Sequence, residues 1–368
     1  MAITAQGRVG SFPEDCEIMD RNQRSGLSFI RAQMREKGLF DFQPLYYFRI
    51  ISLSMALLGI NIWALLYFDN LWILLGDAVF LGLLFPQFAG IGHDAGHDSI
   101  SKSAWINYAV GSATCFIFGM SRTWWRSVHG EHHTEPNGPS DPHKQVPNLV
   151  FSEEEALLVR GYWRRLIIGY QAWYFVPYMA LESIHLRVAS VKFLFSLWRT
   201  KKERVPWIEP VIMGAHFAAY FGLLWLSSLS FWEGVGFVVV HYVVFGIYFG
   251  LIFAPNHKGM GIPDPDNPWD SVRKQVLTSR GVKPGFFARL IYAGLERQVE
   301  HHLVPTRMPR CNLEAVREIL IAYCAKEGIH YEEVSIWGSQ KAVLKHLRDV
   351  SASLRRPPAK SAFETAGE

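Results

Sequence analysis

Two long stretches of the chain, residues 50–101 and 206–257, contain no lysine or arginine, and each is apolar but for one short polar break. In the first, apolar runs at 50–68 and 71–91 flank Asp69 and Asn70; in the second, runs at 208–229 and 232–253 flank Ser230. A helix needs about 20 mostly apolar residues to span a bilayer. The pattern therefore predicts four transmembrane helices in two hairpins. All lysines and arginines lie outside the hairpins. The positive-inside rule then places both termini, the segment between the hairpins and the C-terminal third in the cytoplasm, with only the two short turns on the far side.

Two shorter apolar stretches, 104–120 and 166–181, approach spanning length. If both crossed, Arg122, Arg126, Lys144, Arg160 and Arg164 would be stranded on the wrong side, and Gln171 and Pro177 interrupt the second. Both read as interfacial or re-entrant helices. Residues 185–204 read as a basic amphipathic helix on the membrane surface. Trp63, Tyr67, Trp72, Trp207, Trp225 and Trp232 cluster near predicted helix ends, as an interfacial aromatic belt does, although any one of them would also serve as a core aromatic. Asp77 lies inside the second span, where a carboxylate is costly, and a polar contact or cap suits it better than catalysis. The expected fold is all-α and integral to the membrane: four transmembrane helices in two hairpins, interfacial helices and a cytoplasmic helical cap. It divides into a cytoplasmic N-terminal segment (1–45), a membrane domain (46–350) and a disordered tail (351–368) containing Arg-Arg-Pro-Pro-Ala-Lys.

Composition adds little. Of 368 residues 49% are hydrophobic, and the net charge of +4 selects no class of partner; nothing points to nucleic acid. The first 40 residues hold no apolar run of signal-peptide type. Cys16, Cys115, Cys311 and Cys324 show no paired spacing and read as free thiols in a reducing compartment.

The chemistry is carried by histidine. Seven of the 14 histidines fall in three boxes: His93-Asp-Ala-Gly-His97, His129-Gly-Glu-His132-His133 and Gln298-Val-Glu-His301-His302. The topology brings all three to the cytoplasmic face. His93 and His97 extend the second span, and His257 follows the fourth at the same depth. On a helix, His93 and His97 share a face at i and i+4, as His129, His132 and His133 do at i, i+3 and i+4. Gln298 stands where the second box has its first histidine; a glutamine there would hold a metal-bound water or orient a neighbouring imidazole. Eight candidate ligands suit two metal ions with about four imidazoles each, since a tetrahedral site takes at most four. Asp94, Asp98, Glu131, Asn256 and Glu300 flank the ligands; Asp94 and Asn256 are the best candidates to support them. His143, His185, His330 and His346 read as surface or loop residues. His216 and His241 read as packing or cavity residues. His241 is 16 residues from His257, about 24 Å along a straight helix, too far to share the site.

No thiolate stands in the boxes, and imidazole suits zinc, copper, iron and nickel alike. Zinc would make a membrane hydrolase, and a pair of irons an oxygen-activating enzyme. A metal transporter would need ligands strung along a path, whereas these gather at one face. The order and spacing of the boxes resembles that of the membrane fatty acid desaturases, over about residues 45–350. Gln298 to Leu313, with Pro305, Pro309 and Asn312, is similar to the corresponding segment of front-end and acyl-lipid desaturases, where glutamine also replaces the first histidine. Trp125-Arg126-Ser-Val-His129, Asn137, Asp141-Pro142 and Cys324 to Tyr331 resemble that group too.

The resemblance implies a di-iron centre held by the eight histidines and an O2-dependent desaturase. Such an enzyme inserts a cis double bond into a fatty acyl chain on a lipid or on CoA, in the manner of a front-end enzyme of Δ5 or Δ6 type. A di-iron hydroxylase or ketolase shares the pattern. Many front-end members carry a fused cytochrome b5 domain with a His-Pro-Gly-Gly motif. That motif is absent here, so ferredoxin or free cytochrome b5 is the expected electron donor. Membrane lipids are the remaining expected partner, and Arg122, Arg126, Lys192 and Lys202 are candidates to meet their phosphates or those of CoA. The segment from Gly246 to Phe253 would either line an acyl tunnel or pack helices through its glycines.

Overall fold

The computed structural model describes residues 21–200, 207–264, 266 and 268–355. Its elements in chain order are α1 (Arg21–Glu36), α2 (Pro44–Tyr67), α3 (Leu71–Gly96), α4 (Ala104–Phe118), α5 (Arg122–Thr134), α6 (Glu153–Leu157), α7 (Tyr162–Gly169), α8 (Gln171–Tyr178), α9 (Glu182–Thr200), α10 (Ile208–Leu226), α11 (Phe231–His257), α12 (Ser271–Leu277), α13 (Phe286–Tyr292), α14 (Gln298–Leu303), α15 (Leu313–Glu327) and α16 (Ile336–Val350). Among the described residues the only sheet is a two-residue parallel pairing of Gly281–Val282 with Glu333–Val334. The protein is an all-α integral membrane protein.

Helices α2, α3, α10 and α11 are long and apolar enough to cross a membrane; α2 packs on α3 as the first expected hairpin, whereas in the second α10 packs mainly on α4 and α2 and α11 on α3. Local chemistry sets the turns. Asn70 accepts the backbone N–H groups of Trp72 and Ile73 at the start of α3, and Ser230 and Glu233 form a capping box at the start of α11. Asn61 on α2 donates to the Asp77 carboxylate at 2.5 Å, which gives the buried aspartate its polar partner. Gly82 permits the close approach of α3 and α11: a Cβ there would lie 2.8 Å from Val244 Cβ. The outer faces of the spans stay apolar and exposed, Leu53, Ile60, Val211 and Phe221 among them, and the six belt aromatics are all exposed near helix ends. So much uncovered apolar surface suits hydrocarbon and not water.

Two spans run further than expected. α3 continues past residue 91 to Gly96, and α11 continues past 253 to His257, so His93 and His257 lie on the helices themselves and His97 caps α3. The stretch 104–120 forms the 15-residue α4, closed by Gly119 in the left-handed region. The stretch 166–181 is broken into α7, α8 and a 3-10 turn at Met179–Leu181. Gln171 explains part of that break: it is buried and its amide bonds the backbone of Val150 and Leu347.

α9 departs in part from the expected basic amphipathic surface helix. It buries Ser183, Arg187 and Ser190 with Leu186 and Leu194 and exposes Val188, Val191, Phe195 and Trp198 with Lys192, so one face packs polar as well as apolar side chains against the protein while an apolar band faces outward. Residues 201–204, including Lys202, lie outside the described residues. The cap gathers α1, α12, α14 and α15 around Ile30, Val276, Val299, Val316 and Leu320. Residues 351–355, expected in the disordered tail, are structured: Ala352–Arg355 forms a 3-10 turn, Leu354 is buried, and Arg355 donates to the Gly169 carbonyl at 2.6 Å. Residues 1–20, with Cys16, and 356–368 lie outside the described residues. Cys115, Cys311 and Cys324 are unpaired.

Candidate metal centre

All eight candidate ligands converge and are buried, but they divide as five and three. His93, His97, His129, His133 and His301 form one group, and His132, His257 and His302 the other, with the ligand atoms of each group within 4.8 Å of one another. Helix geometry explains the partition. Successive residues on an α-helix turn by about 100°, while i and i+4 differ by only about 40°. His93 and His97 on α3 therefore stay together, as do His129 and His133 on α5. His132, next to His133, swings toward the second group. The adjacent pair His301 and His302 on α14 is likewise split between the two. The expected four-and-four division fails because the third box offers one imidazole to each group and α3 gives both of its own to the first.

The donor set is shaped for cations. His129 Nε2 lies 3.0 Å from both His97 Nε2 and His133 Nε2, and His301 Nε2 is 3.0 Å from His133 Nε2. In the second group His132 Nε2 lies 3.2 Å from His257 Nε2. One nitrogen carries at most one proton, so hydrogen bonds cannot satisfy a chain of such contacts. Two nitrogens each about 2.1 Å from one ion lie about 3.0 Å apart at a right angle and about 3.4 Å apart at a tetrahedral one. The first group thus matches an ion with right-angled ligand pairs. Among the described residues, His93 Nε2 and His302 Nε2 are buried without a hydrogen-bond partner, which leaves their lone pairs for a metal. Burial, reinforced by neighbouring imidazoles, lowers the pKa of His97, His129, His133, His301 and His302 well below the usual histidine value. They are therefore neutral, the form that ligates.

The opposite ring nitrogens are held. His132 Nδ1 donates to Asp141, 3.0 Å from each carboxylate oxygen. His257 Nδ1 donates to the Thr278 carbonyl at 3.0 Å, and His302 Nδ1 to Gln275 Oε1 at 3.1 Å. Such bonds fix the tautomer and aim Nε2 inward. Burial opposes ionisation of Asp141, but its hydrogen bond to His132 and the positive charges around it hold the carboxyl well below the usual range. Gln275 also donates to the His133 carbonyl at 3.2 Å, so one side chain braces both groups. Asn137, at φ +60°, donates to the His257 carbonyl at 2.9 Å and ties the loop after α5 to α11. Trp125 stacks on His129 with ring centroids 4.6 Å apart.

The flanking residues take different places. Asp94 lies 3.4 Å from His93 Nδ1, accepts from Tyr47 at 3.0 Å and pairs with Arg310 at 2.5 Å. Asn256 donates to Gln298 Oε1 at 3.1 Å, and the Gln298 amide nitrogen lies 2.9 Å from His257 Nε2. Asn256 thus orients Gln298, not an imidazole. Glu131 is exposed and Asp98 half-buried. Glu300 is buried, accepts from Tyr331 at 2.6 Å, and burial raises its carboxyl to about 7. His143 is exposed, but its ring stands 4.5 Å from that of His132, nearer the second group than a plain surface position implied. His241 accepts or donates to the Tyr220 hydroxyl at 2.8 Å, and His216 packs against Gly119, both away from the metal groups. His346 bonds the Phe151 carbonyl; His185 and His330 lie near Glu182 and Glu332. Gln275 and Thr278 had no signal in the sequence, and Asp141, Arg310 and Tyr331 entered only within segments that carry the resemblance.

A mostly apolar cavity of about 40 Å³ is lined by His93, Trp125, Phe118, Leu186, Phe249 and Phe253, among others. The stretch from Gly246 to Phe253 packs helices through its glycines, and two of its phenylalanines face the cavity. Phe249 and Phe253 line the cavity, while Gly246 and Gly250 admit Ala180 and Met179, which a Cβ would meet at 2.5 and 2.6 Å.

The sequence model of the family described as "Fatty acid desaturase" matches residues 70–335, a span that includes all eight histidines. The chain belongs to the fatty acid desaturase family. It is 27% identical over 339 residues to the acyl-lipid (9-3)-desaturase of Physcomitrium patens, covering 88% of this chain and 62% of that protein. It is 30% identical over 346 residues to Delta(8)-fatty-acid desaturase 2 of Arabidopsis thaliana, covering 89% and 74%. A Delta 8-(E)-sphingolipid desaturase of Komagataella phaffii is 25% identical over 317 residues, covering 78% and 56%. This desaturase-family chain therefore spans less than two thirds of the moss and yeast proteins and about three quarters of the Arabidopsis one. As a member of a family of oxidoreductases, it has its buried histidine groups beside an apolar cavity.

Proposed function

We infer that the protein is an O2-dependent desaturase that inserts a cis double bond into a fatty acyl chain carried by a lipid or by CoA. The observation that carries this reading is a pair of convergent imidazole groups beside an apolar cavity that His93, of the first group, also lines. His93, His97, His129, His133 and His301 would hold one iron, and His132, His257 and His302 the other, with the Gln298 amide beside the second. The right-angled nitrogen pairs favour a metal of higher coordination than structural zinc, and histidine-rich sites with open positions suit iron. When bound, the metals supply the activation of O2 needed to take two hydrogens from adjacent methylenes.

The chain's own residues do the rest. Asp141, Thr278 and Gln275 hold Nδ1 protons and keep Nε2 lone pairs inward. Asp94, braced by Arg310 and Tyr47, does the same for His93. Trp125 fixes the plane of His129. The aromatic walls exclude water and line up a methylene chain, which places the reacting carbons without chemical contacts to them. The names of the relatives, Δ8 and (9-3), support a front-end enzyme. Charge distribution supports a centre and both termini on the cytoplasmic side, where a ferredoxin- or cytochrome b5-type carrier would supply electrons.

The test is expression in a host with simple fatty acids, with new double bonds mapped by mass spectrometry. Wild type should yield one cis-unsaturated product, and His132→Ala should abolish it while the protein still inserts in membranes. A hydroxylated product, or retained activity in the variant, would defeat the reading.

A further inference from the structure

The cavity beside the histidines has a cation in its wall that the chemistry above does not use. Arg122 opens α5, and its side chain lines the same cavity as His93. Its Nε is buried and has no hydrogen-bond partner among the described residues. The guanidinium carbon sits 4.9 Å from the centroid of the Tyr108 ring. Gly111 makes room for it, since a Cβ there would lie 2.9 Å from Arg122 Nε. A second cation is close: burial and then the charge of Arg122 lower the pKa of Arg126, one turn along α5. Arg122 is half-buried, and its desolvated Nε–H is costly without an acceptor. The methylenes of an acyl chain offer none, but its carboxyl end, with carbonyl and phosphate oxygens, does.

Spacing gives the same assignment. Arg122 and His129 are seven residues apart, about 10 Å along α5 at about 1.5 Å per residue. An extended hydrocarbon advances about 1.25 Å per bond, given carbon–carbon bonds of about 1.5 Å. About eight carbon–carbon bonds then separate a carboxyl end at Arg122 from the methylene facing the metals. A methyl end placed there would need no cation.

We propose that Arg122 binds the carbonyl and phosphate oxygens at the carboxyl end of the acyl substrate, and so sets how many carbons lie between that end and the metal centre. This rests on the desaturase reading and adds a specificity-determining residue to it. Phospholipid and CoA both offer such oxygens, and the experiment separates them.

The test uses the full chain, with Arg122→Gln, Arg122→Met and Arg122→Lys variants produced in the same host. Three quantities are read: bound metal, double-bond position by mass spectrometry, and apparent KM in separate phospholipid and acyl-CoA pools. The Gln and Met variants should keep wild-type metal content, raise KM about tenfold in the pool that carries the substrate, and spread the product over neighbouring positions. Lysine should restore the single position in part. Gln and Met variants that keep the wild-type position and KM would overturn the proposal. So would loss of metal in both, which would make Arg122 a structural part of the wall. Failure of the desaturase reading looks different, because wild type itself would then form no double bond in either pool.

Discussion

Replacing Asp141 by asparagine tests whether the two histidine groups are separate metal sites. The Asp141 carboxylate accepts from His132 Nδ1, from the Asn137 N–H at 2.8 Å and from the His143 N–H at 2.9 Å, and it is almost fully buried. Asparagine keeps the shape but has one acceptor oxygen in place of two. Its amide NH2 must face one of the two backbone donors, leaving a buried N–H unpaired at about 1–3 kcal/mol. The charge-assisted bond to His132 weakens as well. Loss of such a support lowers metal affinity about 10- to 100-fold, or about 1.4–2.7 kcal/mol. Only the group of His132, His257 and His302 should feel this, because the first group makes no contact with Asp141. The assay is metal retained per chain in detergent after equilibration against increasing chelator. Wild type should lose its metals at two chelator concentrations or at one shared high one. In the variant, one equivalent should leave at 10- to 100-fold lower chelator while the other leaves as in wild type. Superimposable curves, or an equal shift of both equivalents, would refute the partition into two sites and the role given to Asp141.

Two further outcomes follow from packing. Arg310→Met removes the partner of the buried Asp94, so thermal unfolding in micelles should show a loss of about 3–5 kcal/mol, partly recovered when Asp94→Asn is added; a loss under 1 kcal/mol would mean that Tyr47 alone suffices. Gly96→Ala places a Cβ 2.1 Å from Trp125 Cζ3. Overpacking of this kind costs about 1–3 kcal/mol, and because Trp125 stacks on His129 the variant should also bind less metal than wild type, whereas unchanged metal content would uncouple Trp125 from the site.

The spans were legible because a bilayer imposes length and apolarity on a segment whatever surrounds it, and the boundaries erred mainly where the helices of His93, His97 and His257 continue out of the apolar run. The candidate ligands were legible because i and i+4 spacing marks one helix face. Their supports were not. His132 and Asp141 are 9 residues apart, His302 and Gln275 27 apart, and Asp94 and Arg310 216 apart, with no periodic pattern linking them. α9 misled because a lone helix with Lys192 and Arg199 reads as surface, whereas Arg187 finds the Tyr242 ring on α11, 4.4 Å away.

By itself, then, the chain's order of residues determined four helices long and apolar enough to span a bilayer, the helix faces of the histidine boxes and the family to which the chain belongs. Those properties depend on solvent and on helix period, which act locally. Tertiary structure alone decided that five imidazoles meet in one place and three in another, that Asp141 and Gln275 hold them, and that Arg122 looks into the cavity of His93. Each of those depends on the direction in which separate helices approach, and no local pattern of side chains encodes that direction.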